Sequence, residues 1–216
     1  MIKCCIFDLD GTLLDTITTI THFVNVTLQR WGIKEISIDE CKVFVGDGAR
    51  KLIERACENG GVTDEKTVSE ILASYKQTYD ANPLYLTGVY DGIIEMLDEL
   101  EHRGIKLAIL SNKPDDTVQS VVKEFFGDRF AYVAGGKEGV PLKPNPDCTR
   151  EILTELSVSA DEVMFVGDTS VDVETGKNMG AGKAVGVLWG FREREELESA
   201  GADVIVSGPL EILENI

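Results

Sequence analysis

The pattern of apolar residues predicts an α/β protein: an open parallel sheet with helices on both faces, interrupted early by an all-helical insert. Three features of the chain carry this. An apolar run, Ile2 to Phe7, opens it as a strand. From Asp91 onward, short apolar runs alternate with amphipathic helical stripes. Between Thr16 and Pro83 only helical spacing is found, with no convincing strand.

Element by element, the first strand ends in Asp8-Leu9-Asp10-Gly11-Thr12, two carboxylates followed by a glycine turn and a hydroxyl. Ile17, Ile20, Val24, Leu28 and Trp31 fall at helical spacing, and further helical patterns run from Cys41 to Cys57 and from Glu65 to Tyr79. The insert is expected over residues 16–83, with the chain leaving it near Asn82-Pro83-Leu84. Ile93, Ile94, Leu97 and Leu100 form a helical stripe before the strand Ile105–Leu110. Val118, Val121, Val122, Phe125 and Phe126 form another, before Phe130–Ala134. Ile152, Leu153 and Leu156 precede Val163–Val166, and Ala184–Val187 and Val204–Val206 complete the set. Sites in such sheets form beyond the carboxyl ends of the strands. The topology therefore gathers Asp8, Ser111 and Asp168, each placed after an apolar run.

The 216 residues suit one domain, or one domain with an insert. A net charge of −17, from 21 basic and 38 acidic residues, argues against a nucleic-acid backbone or an anionic membrane as partner. An acidic chain that binds a phosphate must supply positive potential locally, from a metal and a few placed cations. The five cysteines are odd in number and lack zinc-site spacing; Cys4 and Cys5 fit a buried strand better than a redox pair. A reduced, cytoplasmic setting fits. Met1-Ile2-Lys3 leads directly into a strand, so no signal peptide is expected, and no apolar run approaches bilayer-spanning length.

Carboxylates at a strand end are costly to bury unless a metal, a cation or a reaction uses them; the bland alternative for Asp8 and Asp10 is a solvated turn. Partners follow in order: Ser111-Asn112-Lys113-Pro114, then Lys143 between Pro141, Pro144 and Pro146, then Gly167-Asp168-Thr169-Ser170-Val171-Asp172. Asp-x-Asp, Ser, Lys and Asp-x-x-x-Asp, each after a strand, resemble the four motifs of the haloacid dehalogenase-like hydrolase superfamily over the whole chain. That resemblance implies a doubly wound parallel sheet, a Rossmann-like core of residues 1–15 and 84–216, with a mobile helical cap inserted after the first strand.

It also implies roles. Asp8 would be a nucleophile that forms an aspartyl-phosphate. Asp10 would be the general acid and base, its carboxyl kept distinct in protonation from that of Asp8. Ser111 and Lys143 would hold the transferring phosphoryl group. Asp8, the backbone carbonyl of Asp10, and Asp168 would bind Mg²⁺ through hard oxygens. Asp172 would either join them or serve as a first-turn aspartate favoured by the helix dipole; if a helix starts at Asp168, the two side chains share a face. Thr12 would assist or brace its turn, Asn112 would donate to substrate or loop, and Lys113 reads as a solvated side chain. His22 and His102 fall outside every motif.

Within the insert, Val45-Gly46-Asp47-Gly48-Ala49-Arg50-Lys51 is either an ordinary helix–helix turn or a loop that screens the substrate. The presence of Asp10 argues against a dehalogenase. The cap loop, the motif segments and Gly186-Val187-Leu188-Trp189-Gly190-Phe191 look like the phosphoglycolate phosphatase subfamily. A small phosphorylated metabolite is the expected partner, met by a monomer or homodimer. Arg50 or Lys51 could pair with a substrate carboxylate, whereas Asp47 would repel it. A sugar-phosphate mutase or a pyrophosphatase is an alternative on the same fold. A non-catalytic binding module is a weaker one, since Asp8, Asp10, Lys143 and Asp168 are all present.

Overall fold

The structure, a computed structural model, describes residues 1–216. Its strands in chain order are β1 (Cys4–Phe7), β2 (Leu14–Asp15), β3 (Gly88–Val89), β4 (Lys106–Pro114), β5 (Tyr132–Gly136), β6 (Val163–Gly167), β7 (Lys183–Val187) and β8 (Val204–Val206). Six of them form one parallel sheet in the order β5-β4-β1-β6-β7-β8. The chain divides into two compact units, residues 1–15 with 89–216, and residues 16–88.

In the first unit, β1 is central and wholly buried, as an apolar strand covered on both faces must be. Its residues alternate in the period of two that a strand imposes. Cys5 and Phe7 join one core with Ile109, Met164 and Val166, under the helices α5 (Ile93–His102) and α6 (Asp115–Phe126). Cys4 and Ile6 join the opposite core with Ala108, Val163 and Phe165, packed on Ile152 and Leu156 of α7 (Arg150–Leu156). Truncating a fully buried ring such as Phe7 or Phe165 to Ala would cost roughly 3–5 kcal/mol. Helices α8 (Ser170–Met179) and α9 (Arg194–Ser199) complete this unit.

Phe7 pairs with Ile109 on one side and Val166 on the other, and the Asp8 N–H continues the ladder to the Val166 carbonyl at 2.9 Å. The chain then turns sharply. The Leu9 carbonyl accepts from the amides of Leu13 and Leu14, both at 3.0 Å, and Gly11 adopts φ +87°, a left-handed conformation in which a side chain is strained.

The second unit holds α1 (Ile17–Arg30), α2 (Ile38–Phe44), α3 (Ala49–Asn59) and α4 (Glu65–Asp80). Ser37 and Glu40 form a capping box that starts α2, and the Asp64 carboxylate accepts from the Thr67 amide at 2.9 Å to start α4. Phe23 of α1 meets Tyr79 of α4 edge-on, with ring centroids 5.7 Å apart. Residues 84–88 belong to this unit, later than the exit expected near Leu84. The reason is Tyr85, whose ring packs against His22 and Phe23 and whose carbonyl accepts from the Thr19 hydroxyl. An irregular segment that contributes through single contacts leaves no periodicity to read.

Candidate active site

The site lies at the carboxyl ends of the parallel strands. Asp8 follows β1 and Asp168 follows β6, while Ser111 lies inside β4, where the pairing with β5 shifts register between Leu110 and Pro114. Asp8, Ser111, Asn112, Lys113, Lys143, Asp168 and Asp172 are all buried, and Thr12 is fully so.

Carboxylate oxygens of Asp8, Asp168 and Asp172 lie within 4.8 Å of one another. One ammonium answers them: Lys143 Nζ stands 2.9 Å from Asp8 Oδ1 and 2.7 Å from Asp172 Oδ1. The hydrogen bond goes to Asp172, and Asp8 Oδ1, although close enough for charge contact, has no donor of suitable geometry. Burial pushes the Asp8 carboxyl up to about 7; Lys143 opposes this, and Asp172 and Asp10 add to it. Burial and then the charges of Asp172 and Asp8 raise Asp168. Burial alone would lower the Lys143 ammonium, but Asp172 and Asp8 more than offset it and keep it charged.

Each carboxylate is held by its surroundings. The Thr12 hydroxyl donates to Asp168 Oδ1 and the Phe191 amide to Asp168 Oδ2, both at 2.9 Å, and the Trp189 indole N–H donates to the Thr12 carbonyl at 2.9 Å. Helix α8 begins at Ser170, so Asp168 and Asp172 do not share a helix face as the spacing suggested. Thr169 stands before the helix in extended conformation, and its amide and hydroxyl donate to Asp172 Oδ2 at 3.0 and 2.7 Å. Asp172 thus closes the first turn of α8 with one oxygen and binds Lys143 with the other.

Asp10 stands apart from this triad. Its two oxygens receive Lys113 Nζ at 2.8 and 3.1 Å. Lys113 is therefore not the solvated side chain its sequence position suggested: it is 8% exposed, and burial of an ammonium requires such a partner. Asn112, expected to donate to substrate or loop, uses its amide on the loop. Its Nδ2 donates to the Lys143 carbonyl at 3.1 Å and its Oδ1 accepts from the Lys143 amide at 2.9 Å, which fixes the backbone that carries the lysine.

The acidic triad can hold a metal ion. Three buried carboxyl groups face one ammonium, the donors are all hard oxygens, and a cation there would relieve the repulsion that raises Asp8 and Asp168. The haloacid dehalogenase-like hydrolase family model matches residues 5–186, a span that includes every one of these side chains. The chain belongs to that family.

Relatives of this hydrolase extend over nearly its whole length. A phosphoglycolate phosphatase from Rhodospirillum rubrum is 34% identical over 94% of the chain and 86% of the relative. One from Aquifex aeolicus is 30% identical over 96% and 93%. A crystal structure of a protein from Lactobacillus delbrueckii subsp. bulgaricus is 31% identical, with a TM-score of 0.94 over 99% of this chain and 98% of that one.

The remaining residues singled out in the sequence, Gly46, Asp47, Gly48, Arg50 and Lys51, lie in the second unit of the hydrolase, between α2 and α3 and in the first turn of α3. Both cations have partners there: Arg50 pairs with Glu54 at 2.8 Å and with Glu65, and Lys51 with Glu54 at 2.8 Å. Arg55 pairs with Asp47 at 2.6 Å.

Three glycines fit the triad closely. A Cβ on Gly11 would fall 2.3 Å from Asp168 Oδ2, one on Gly190 2.3 Å from Asp168 Cβ, and one on Gly167 2.2 Å from the Asp172 Cβ. Gly167 and Gly190, with the Phe191 amide, pack directly against Asp172 and Asp168, which the motif residues alone did not reveal.

Proposed function

We propose that this hydrolase is a Mg²⁺-dependent phosphatase that hydrolyses a small phosphomonoester, phosphoglycolate or a close analogue, through an aspartyl-phosphate on Asp8. The observation that carries the proposal is Lys143, buried and bridging Asp8 and Asp172 at 2.9 and 2.7 Å within a triad of carboxylates. Such a cluster has surplus negative charge that a divalent cation would offset, and that cation and Lys143 would then face the phosphoryl oxygens. Relatives at 34% and 30% identity, each a phosphoglycolate phosphatase, support the choice of substrate class.

Asp8 supplies the attacking oxygen from a carboxylate set beside the Lys143 ammonium at 2.9 Å. Lys143 and the Ser111 hydroxyl neutralise charge on the transferring group. As the phosphorus–oxygen bond to the alcohol breaks, Asp10 gives its proton to the departing oxygen; it then takes one from the water that releases phosphate from Asp8. Asp8, Asp168 and the Asp10 carbonyl would hold Mg²⁺, which supplies positive charge opposite the phosphoryl oxygens when bound. Asp172 Oδ1 accepts from Lys143 while its Oδ2 caps α8, so its part is to orient that ammonium beside Asp8. The helical unit, residues 16–88, takes the role of the cap that selects among substrates.

The test is phosphate release from phosphoglycolate, sugar phosphates, nucleotides and pyrophosphate, with and without Mg²⁺, beside an Asp8→Asn control. Release that needs Mg²⁺ and is lost in the variant supports the proposal, and the substrate ranking names the preferred ester. A stable phosphoenzyme with little free phosphate would point to a mutase instead.

A further inference from the structure

Lys113 is the one buried cation outside the Lys143 cluster whose partner belongs to the proposed chemistry. It lies 103 residues from Asp10 in sequence, yet its Nζ reaches both Asp10 oxygens, at 2.8 and 3.1 Å. The side chains are 6% and 18% exposed, so this is not a surface pair of negligible strength. Lys113 is itself positioned: its amide donates to Ser111 Oγ at 3.3 Å, and the neighbouring Asn112 is clamped to the Lys143 backbone. One short segment of β4 therefore carries the phosphoryl-binding hydroxyl, the brace for Lys143 and the partner of Asp10.

We propose that Lys113 is a positioning residue that fixes the Asp10 carboxyl for proton transfer to the leaving oxygen, an assignment that rests on the phosphatase reading above. In the first half-reaction Asp8 bonds to phosphorus, the phosphorus–oxygen bond to the alcohol breaks, and the Asp10 proton passes to that oxygen. Lys113 keeps all its protons, and the carboxylate left on Asp10 meets the ammonium waiting beside it. Without Lys113, the carboxyl has no buried group to set its direction, and its proton no longer reaches the leaving oxygen at the right moment.

The readout is leaving-group dependence of kcat/KM, which covers only steps up to departure of the alcohol. Phosphoglycolate releases an alkoxide that needs a proton; p-nitrophenyl phosphate releases a phenolate that does not. Lys113→Met is expected to lower kcat/KM by roughly 10²-fold on phosphoglycolate, the usual scale of one proton-transfer group, and only a few-fold on p-nitrophenyl phosphate. In an Asp10→Asn background the same change should add nothing on either substrate. Equal losses on both substrates, or a further loss in the Asp10→Asn background, would overturn the proposal. Should Lys113→Met alone fail to fold, the double variant, which removes both buried charges, decides by comparison with Asp10→Asn. Intact protein inactive on both esters with Mg²⁺ would instead sink the phosphatase reading itself.

Discussion

Gly190→Ala tests whether the glycine fit around Asp168 is functional. The added Cβ would stand 2.3 Å from Asp168 Cβ, 2.5 Å from its Oδ2 and 2.5 Å from the Gly11 carbonyl oxygen, where real Cβ contacts stay beyond 3.0 Å. Neither neighbour yields easily. Gly11 is held at φ +87° in the turn after β1, and Asp168 is tied by Thr12 and by the Phe191 amide at 2.9 Å each. Forcing a methyl into a packed site costs typically 1–3 kcal/mol, which for a chain of this size lowers Tm by about 2–12 °C. Because the group displaced is a proposed metal ligand, Mg²⁺ affinity should also fall by roughly 10–100-fold, the scale of lost ligand support. Thermal melts over a Mg²⁺ titration read both effects. Gly88→Ala is the control, with nothing within 4 Å of its added Cβ, and it should melt within about 2 °C of the intact protein, as a neutral surface change does. Intact Tm and intact Mg²⁺ response in Gly190→Ala would refute the reasoning.

Other outcomes follow from the same geometry. Lys143→Met leaves three buried carboxylates without their cation and should cost roughly 3–5 kcal/mol in the metal-free protein, measured by denaturant unfolding. Asp8 has a folded pKa raised from 3.8 to about 7, so the native state binds the extra proton between these values and this group's contribution to stability falls as pH rises through that window. Metal-free melts should show that decline, and Asp8→Asn should flatten it; an unchanged slope in the variant would contradict the assignment. Asn112→Ala strips both partners from the Lys143 backbone and should cost roughly 1–3 kcal/mol, with a loss of kcat visible in steady-state kinetics. Cys148 alone among the five thiols is not buried, while burial raises Cys4 to about 12 and Cys41 to about 11. At pH 8 a thiol reagent should therefore modify Cys148 ahead of the rest, which peptide mapping would show.

The sheet was legible because a strand buried on both faces reads as a continuous apolar run, and each of the six expected runs is a strand of the parallel sheet. The clustering of Asp8, Asp168 and Asp172 was legible in outline, since strand ends on one edge must converge. The detail was not. Lys113 looked solvated because nothing local distinguishes it from an exposed lysine, and its partner lies 103 residues away in the turn after β1. Asn112 sat beside a motif serine, but whether an amide faces a ligand or a loop depends on where the Lys143 backbone passes. Thr169 interrupts the expected helix face because an extended residue before α8 serves the cap better than one more helical turn. The pairing of Arg50 and Lys51 with glutamates followed helical spacing and could have been read from it: Glu54 lies four and three residues on.

Trapping the phosphoryl group on Asp8 tests the central claim most directly. Protein quenched in acid during turnover of phosphoglycolate with Mg²⁺, then digested and weighed, should carry the mass of one phosphoryl group on the peptide containing Asp8, and Asp8→Asn should carry none. Phosphate release at the intact rate by the Asp8→Asn protein, with no phosphorylated peptide in either sample, would contradict it.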